Sequence, residues 1–158
     1  MGKKLVIAAE KSGEHLKNSI VKFMEANGYD FTDLTAPEGM SYIDAGSAIG
    51  SAISNKEYDL GIVICGSGMG VNLVANRYPG VYCGLVENVN TAAMARSITN
   101  CNVLALGGNI VAYDLANKMV EAFVGTEFGQ GFSPEMQENL KKMFADMEAV
   151  DRKTHGLT

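Results

Sequence analysis

The sequence lacks the features that would place it at a membrane or on nucleic acid. No apolar run approaches the roughly 20 residues of a membrane-spanning helix. The apolar run after Met1-Gly2-Lys3-Lys4 is only about five residues long, too short for a secretory signal core. No basic cluster stands out and the net charge is −5, which argues against nucleic acid and anionic membrane as partners. Cysteine is scarce. Cys65, Cys83 and Cys101 leave one thiol unpaired in any disulfide scheme, and their wide spacing matches no zinc pattern. No metal site is therefore expected, and a reducing cytoplasm is the expected setting. No linker, low-complexity stretch or short repeat interrupts the chain, so residues 1–158 read as one domain.

What is present is a rhythm of strand and helix patterns. Strands are expected at Leu5–Ala9, Tyr29–Leu34, Leu60–Ile64, Val81–Val86 and Asn102–Leu106. Helices are expected at Glu14–Asn27, Ile43–Ser54, Val71–Arg77, Thr91–Ile98 and Tyr113–Phe123, with a last amphipathic helix over Pro134–Val150. Five βα units in a row predict an α/β fold, a parallel sheet wrapped by helices on both faces with an extra C-terminal helix. Ligands of such sheets sit beyond the carboxyl ends of the strands. That rule nominates Glu10 and Lys11 after the first strand, Cys65 after the third, Glu87 and Asn88 after the fourth, and Gly107 to Asn109 after the fifth.

The most informative stretch is D-L-G-I-V-I-C-G-S-G-M-G at 59–70. An apolar strand ends at Cys65, and Gly66, Ser67, Gly68, Met69 and Gly70 follow at once. The turn is neither a P-loop, since no Gly-Lys-Ser/Thr follows, nor a dinucleotide fingerprint. Its bland reading is a tight βα turn. Its functional reading is a set of backbone N–H groups that stabilise an oxyanion beside a reactive thiol. Cys83 and Cys101 read as core. His15, inside the first helix, and His155, in the polar tail, read as surface residues. Tyr42 opens the second helix, where packing and substrate contact are equally good readings.

These residues resemble the ribose-5-phosphate isomerase type B and galactose-6-phosphate isomerase family. The segment at 59–70, A-N-R-Y-P-G-V at 75–81, N-V-L-A-L-G-G at 102–108 and T-E-F at 126–128 carry the resemblance, which runs from about Lys4 to Phe128. It implies a three-layer Rossmann-like fold with a five-stranded parallel sheet, and a homodimer or homotetramer. It also implies cofactor-free aldose–ketose isomerisation of a small sugar or sugar phosphate through a cis-enediolate. Cys65 matches the family's cysteine base; the glutamate that some members use falls at Val71. Gly66, Ser67, Gly68, Met69 and Gly70 match the anion-hole turn, and Tyr42 matches a tyrosine near the family's active site.

The chain also departs from the pattern. Glu10-Lys11 stands where the family has Asp-His, and Ile98 stands at the ring-opening histidine. The phosphate-binding arginines fall at Asn109, Phe132 and Met136, and a histidine falls at Ser133. Lys11 is the candidate cation, with Arg77 or Arg96 helping if they face the cleft. The reading is an isomerase with Cys65, Ser67 and Glu10 in the chemistry. Lys11, Tyr42, Asn109 and the glycine turn would bind the substrate, which would be acyclic or less charged than ribose 5-phosphate. The rival reading is a non-catalytic sugar-binding partner subunit.

Overall fold

A computed structural model describes residues 2–158. Its strands are β1 (Leu5–Ala9), β2 (Phe31–Asp33), β3 (Leu60–Cys65), β4 (Cys83–Leu85) and β5 (Val103–Gly107). They form one parallel sheet in the order β2-β1-β3-β5-β4. The three central strands are buried along their whole length, which is why they read as continuous apolar runs. Edge strands β2 and β4 are three residues each; short edges limit pairing with other chains.

Side-chain alternation sorts the core into two layers. Leu5, Ile7, Leu60, Ile62, Ile64, Leu104 and Leu106 face one way. They meet α1 (Glu14–Ala26), which a 3₁₀ turn over Lys11–Gly13 precedes. α4 (Val89–Ser97) and α5 (Tyr113–Gly125) complete that layer. Val6, Ala8, Val63, Cys65, Val103 and Ala105 face α2 (Tyr42–Ser54) and α3 (Met69–Ala75) on the other side. Within α1 the buried Leu16, Ile20 and Met24 recur at helical spacing.

Local chemistry fixes the ends. Ser41 and Asp44 form a reciprocal capping box at the start of α2. Lys56, with φ 58°, closes α2: its N–H reaches Ile53 O at 3.0 Å, and the Glu57 N–H reaches Ala52 O at 3.1 Å. The last helix, α6 (Pro134–Thr154), starts with Pro134 in its first turn and the Ser133 hydroxyl capping Met136 N–H. It docks through Phe144, whose ring lies 5.4 Å from Tyr82 and 5.5 Å from Phe128. No helix among the described residues is long and apolar enough to cross a membrane.

The chain leaves β1 towards β2 and later returns to place β3 on β1's other side. That reversal opens a crevice at the carboxyl ends of β1 and β3, where all three central strands deliver their loops.

Candidate active site

Cys65 is the last residue of β3 and is 6% exposed. Its side chain belongs to the α2/α3 layer. The sulfur accepts a hydrogen bond from Gly68 N–H at 3.2 Å, which fixes its direction at the rim. Gly68 must be glycine twice over. Its φ is +79°, and a Cβ there would lie 2.5 Å from Leu85 Cδ1 and 2.8 Å from the Leu106 carbonyl carbon.

The other two thiols are different. Burial pushes Cys83 up to about 12 and also raises Cys101, so both stay protonated and belong to the core, as expected.

The turn after Cys65 is tight, as its glycines suggest, and the helix follows it sooner than expected. α3 begins at Met69, not Val71, and spans seven residues. Seven residues make about two turns, too short a helix to hold an oxyanion by its terminus alone. Two of the turn's amides are also occupied, Gly68 N–H by the sulfur and Met69 N–H by Ser67 Oγ at 3.2 Å. Because Ser67 Oγ accepts from the backbone, its own O–H is left to donate outward.

Three loops are joined by main-chain bonds. Gly108 N–H reaches Cys65 O at 2.8 Å, Asn109 N–H reaches Gly66 O at 2.9 Å, and Glu10 N–H reaches Ile64 O at 2.8 Å. These bring Glu10, Gly66 and Asn109 to one rim. A Cβ on Gly66 would stand 3.2 Å from Asn109 Nδ2 and 3.5 Å from Ser12 Cβ. Glu10 accepts a hydrogen bond from the Ser12 hydroxyl at 3.0 Å. Lys11 is exposed and makes no ion pair among the described residues. Tyr42, 47% exposed, lies against the turn on the other side; a Cβ on Gly70 would meet its Cδ2 at 2.7 Å. The fold thus gathers Glu10, Tyr42, Cys65, the glycine turn and Asn109 into one region, whereas Asn88 caps α4, its Oδ1 accepting the Thr91 N–H at 2.9 Å.

The arginines go elsewhere. Arg96 is buried at the amino end of β5, donating to Asn100 Oδ1 at 2.9 Å and Cys101 O at 2.7 Å. Arg77 follows α3 at the end away from Gly68, where its carbonyl accepts a hydrogen bond from His155. Neither serves the crevice. Ile98 lines an apolar cavity of about 210 Å³ with Leu140, Met143, Phe144 and Met147. Ser133 caps α6, and Phe132 O accepts from Gln137. These positions, where the resemblance would place a histidine or an arginine, hold the last helix instead.

The surface reading holds for His15, which is exposed, and not for His155. His155 is half-buried and bonds Arg77 O and Asp151 O at 3.0 Å each. His15 stands at the rim. Its Nδ1 pairs with Tyr113 OH at 3.0 Å, and its Nε2 lies 3.2 Å from where a Cβ on Gly108 would be. The available signal was position: His15 follows Lys11 by one turn, in the first turn of the helix after β1.

Comparison with known proteins agrees with this fold. Residues 5–143 match a family model described as Ribose/Galactose Isomerase. The chain is 34% identical over 157 residues to the 4-deoxy-4-sulfo-D-erythrose isomerase of Clostridium sp. (strain MSTE9), covering 95% of this chain and 99% of that one. It is 29% identical over 138 residues to the D-erythrulose-4-phosphate isomerase of Pectobacterium atrosepticum, covering 85% and 91%. The solved structure of Clostridium thermocellum ribose-5-phosphate isomerase B matches with a TM-score of 0.85 at 31% identity, covering 96% and 99%.

Proposed function

We propose, from the premise that this chain belongs to the ribose/galactose isomerase family, that it interconverts an open-chain aldose and ketose of about four carbons bearing one terminal anion, with Cys65 as the base. The sulfur takes the proton from C2 of the aldose, and the carbonyl oxygen on C1 gains the negative charge. A proton passes from the C2 hydroxyl to O1. The sulfur returns its proton to C1 as the C2 carbonyl forms. Ser67 O–H donates to the enediolate oxygen, and amides of the turn not already bonded add to it. Glu10 and Lys11 orient the far end, and Tyr42 and Asn109 flank the sugar.

One observation carries this reading: an oriented thiol at the rim of a crevice that no arginine serves. A phosphate dianion ordinarily draws arginine forks. The substrate named for the sulfo-erythrose relative carries a sulfonate, a single charge, in place of its C4 hydroxyl. Without that hydroxyl a four-carbon aldehyde cannot close a five-membered ring. A site built for such a sugar needs neither a ring-opening histidine nor an arginine fork, which accounts for Ile98 and Asn109 together.

An oligomer follows from the same reading. Tyr42, Ile43, Met69 and Leu73 expose an apolar patch beside the crevice, each 47 to 59% accessible, and a second copy is its proposed cover. Light scattering tests this: a monomer at micromolar concentration rejects it.

The chemical test follows C1 and C2 by NMR in deuterated water with 4-deoxy-4-sulfo-D-erythrose. Deuterium should enter the carbon next to the ketone. The absence of both ketose and exchange removes the proposal.

A further inference from the structure

The rim of the crevice has an order. It starts at the Cys65 sulfur on the α2/α3 side of the sheet. It passes over Gly66 to Ser12 and Asn109, then over Gly108 to His15 and Tyr113 on the α1/α5 side. A small sugar with its reacting carbons at the sulfur therefore points its tail along this line.

The far end is built by two helices. His15 comes from the first turn of α1 and Tyr113 from the first residue of α5. Their rings tilt at 55° with centroids 5.8 Å apart, and the Nδ1–hydroxyl bond of 3.0 Å couples them. The direction of this bond decides what the free nitrogen can do. When the Tyr113 hydroxyl donates to Nδ1, the proton of a neutral ring sits on Nε2; when the ring is charged, Nε2 carries a proton as well. In both of these states Nε2 faces the Gly108 rim as a donor; the other neutral tautomer, with Nδ1 donating to Tyr113, leaves Nε2 an acceptor, and an oxyanion at the rim selects the donor forms. Gly108 makes room for this: a Cβ there would also lie 3.0 Å from Ser12 O and 2.9 Å from Gly13 Cα.

We infer that His15, held by Tyr113, is the contact for the substrate's terminal oxyanion, a sulfonate in preference to a phosphate. This rests on the reading of Cys65 as the reacting end. The ring offers a single N–H where an arginine offers a fork, and so fits a tail of one charge better than a tail of two. Lys11 adds a mobile charge and the Ser12 hydroxyl a further donor. Tyr113 is a positioning residue.

The test uses 4-deoxy-4-sulfo-D-erythritol, a reduced analogue that cannot isomerise. Calorimetry measures its binding to the whole protein and to His15→Ala and Tyr113→Phe; erythritol 4-phosphate is the dianionic comparator. His15→Ala should weaken sulfonate binding about tenfold and Tyr113→Phe about threefold, with KM for the sulfonated aldose rising in step and kcat within about twofold. The phosphate should bind the unaltered protein less tightly than the sulfonate. His15→Gln fills the space without the charge and serves in place of an alanine variant that loses its fold. The inference falls if the unaltered protein does not bind the sulfonate, if the variants bind it equally, if the loss is confined to kcat, or if phosphate binds more tightly. The two readings fail separately. Binding that depends on His15 in a protein without C2 exchange removes the isomerase reading alone. Exchange that depends on Cys65 while His15 is silent removes this one alone.

Discussion

The two edges of the sheet are built on opposite plans. At the carboxyl edge, main-chain bonds join three loops, and Cys65, Ser67 and Asn109 stand in a rim without an arginine. At the amino edge, a cavity of about 510 Å³ is lined by Lys3, Lys56, Asp59, Tyr82, Arg96 and Glu148 among others. Two ion pairs lie there. Lys3 meets Glu127 at 2.6 Å, and His155 meets Asp151 at 3.2 Å. This opening is not where the chemistry is expected. Charge at the amino edge holds chain ends and α6 in place, whereas the carboxyl edge keeps polar side chains free to meet a ligand.

The sharpest way to break this contrast is to remove the thiol. Cys65→Ala should reduce isomerisation by at least about a thousandfold, since it deletes the only proposed carrier of the proton. Its melting temperature should stay close to that of the unaltered protein; normal turnover would refute the assignment. Gly68→Ala comes next. The left-handed conformation alone should cost about 1–3 kcal/mol in a denaturant titration, the clash with Leu106 should add to it, and activity should fall with it. A variant as stable as the parent would show that the turn does not need its glycine.

The amino edge should answer in stability only. Arg96→Leu loses charged hydrogen bonds to Cys101 O and Asn100, and its ring contact with Phe123. It should cost about 1–3 kcal/mol and leave kcat unchanged; a tenfold fall in kcat would erase the division between the edges. The smallest effect belongs to His155. Carbonyl oxygens accept at both its nitrogens, so both bonds are made together only by the protonated ring. The backbone acceptors at Asp151 and Arg77 accordingly raise it above 6.5. Its contribution is whole below that value and is lost as pH rises through the raised one. The melting temperature should therefore decline slightly more from pH 6 to pH 8 than in His155→Ala, with activity differing in neither.

Much of the frame was legible because burial on both faces leaves an unbroken apolar run. β1 has the expected bounds, and β3 differs only in taking in Cys65. The edge strand β4 is shorter than the expected Val81–Val86. Only β5 pairs with it, and Asn102 Oδ1 takes the Tyr82 N–H at 2.8 Å before the ladder begins. The turn after Cys65 is tight as expected, but its three glycines do not reveal that only Gly68 among them lies in the left-handed region. The 3₁₀ turn at Lys11–Gly13 had no apolar period to betray it. His15 was missed for a related reason. Helical spacing shows that it lies off the apolar face of α1, but not that Tyr113, 98 positions away, meets it across the rim.

The bonds that hold the loops together at the sulfur end run from backbone to backbone, so no replacement of a side chain deletes them. Positions 10, 11, 15 and 109 can therefore change identity while the thiol keeps its seat. One scaffold can be refitted for sugars with different tails, and the reacting half need not be reinvented each time.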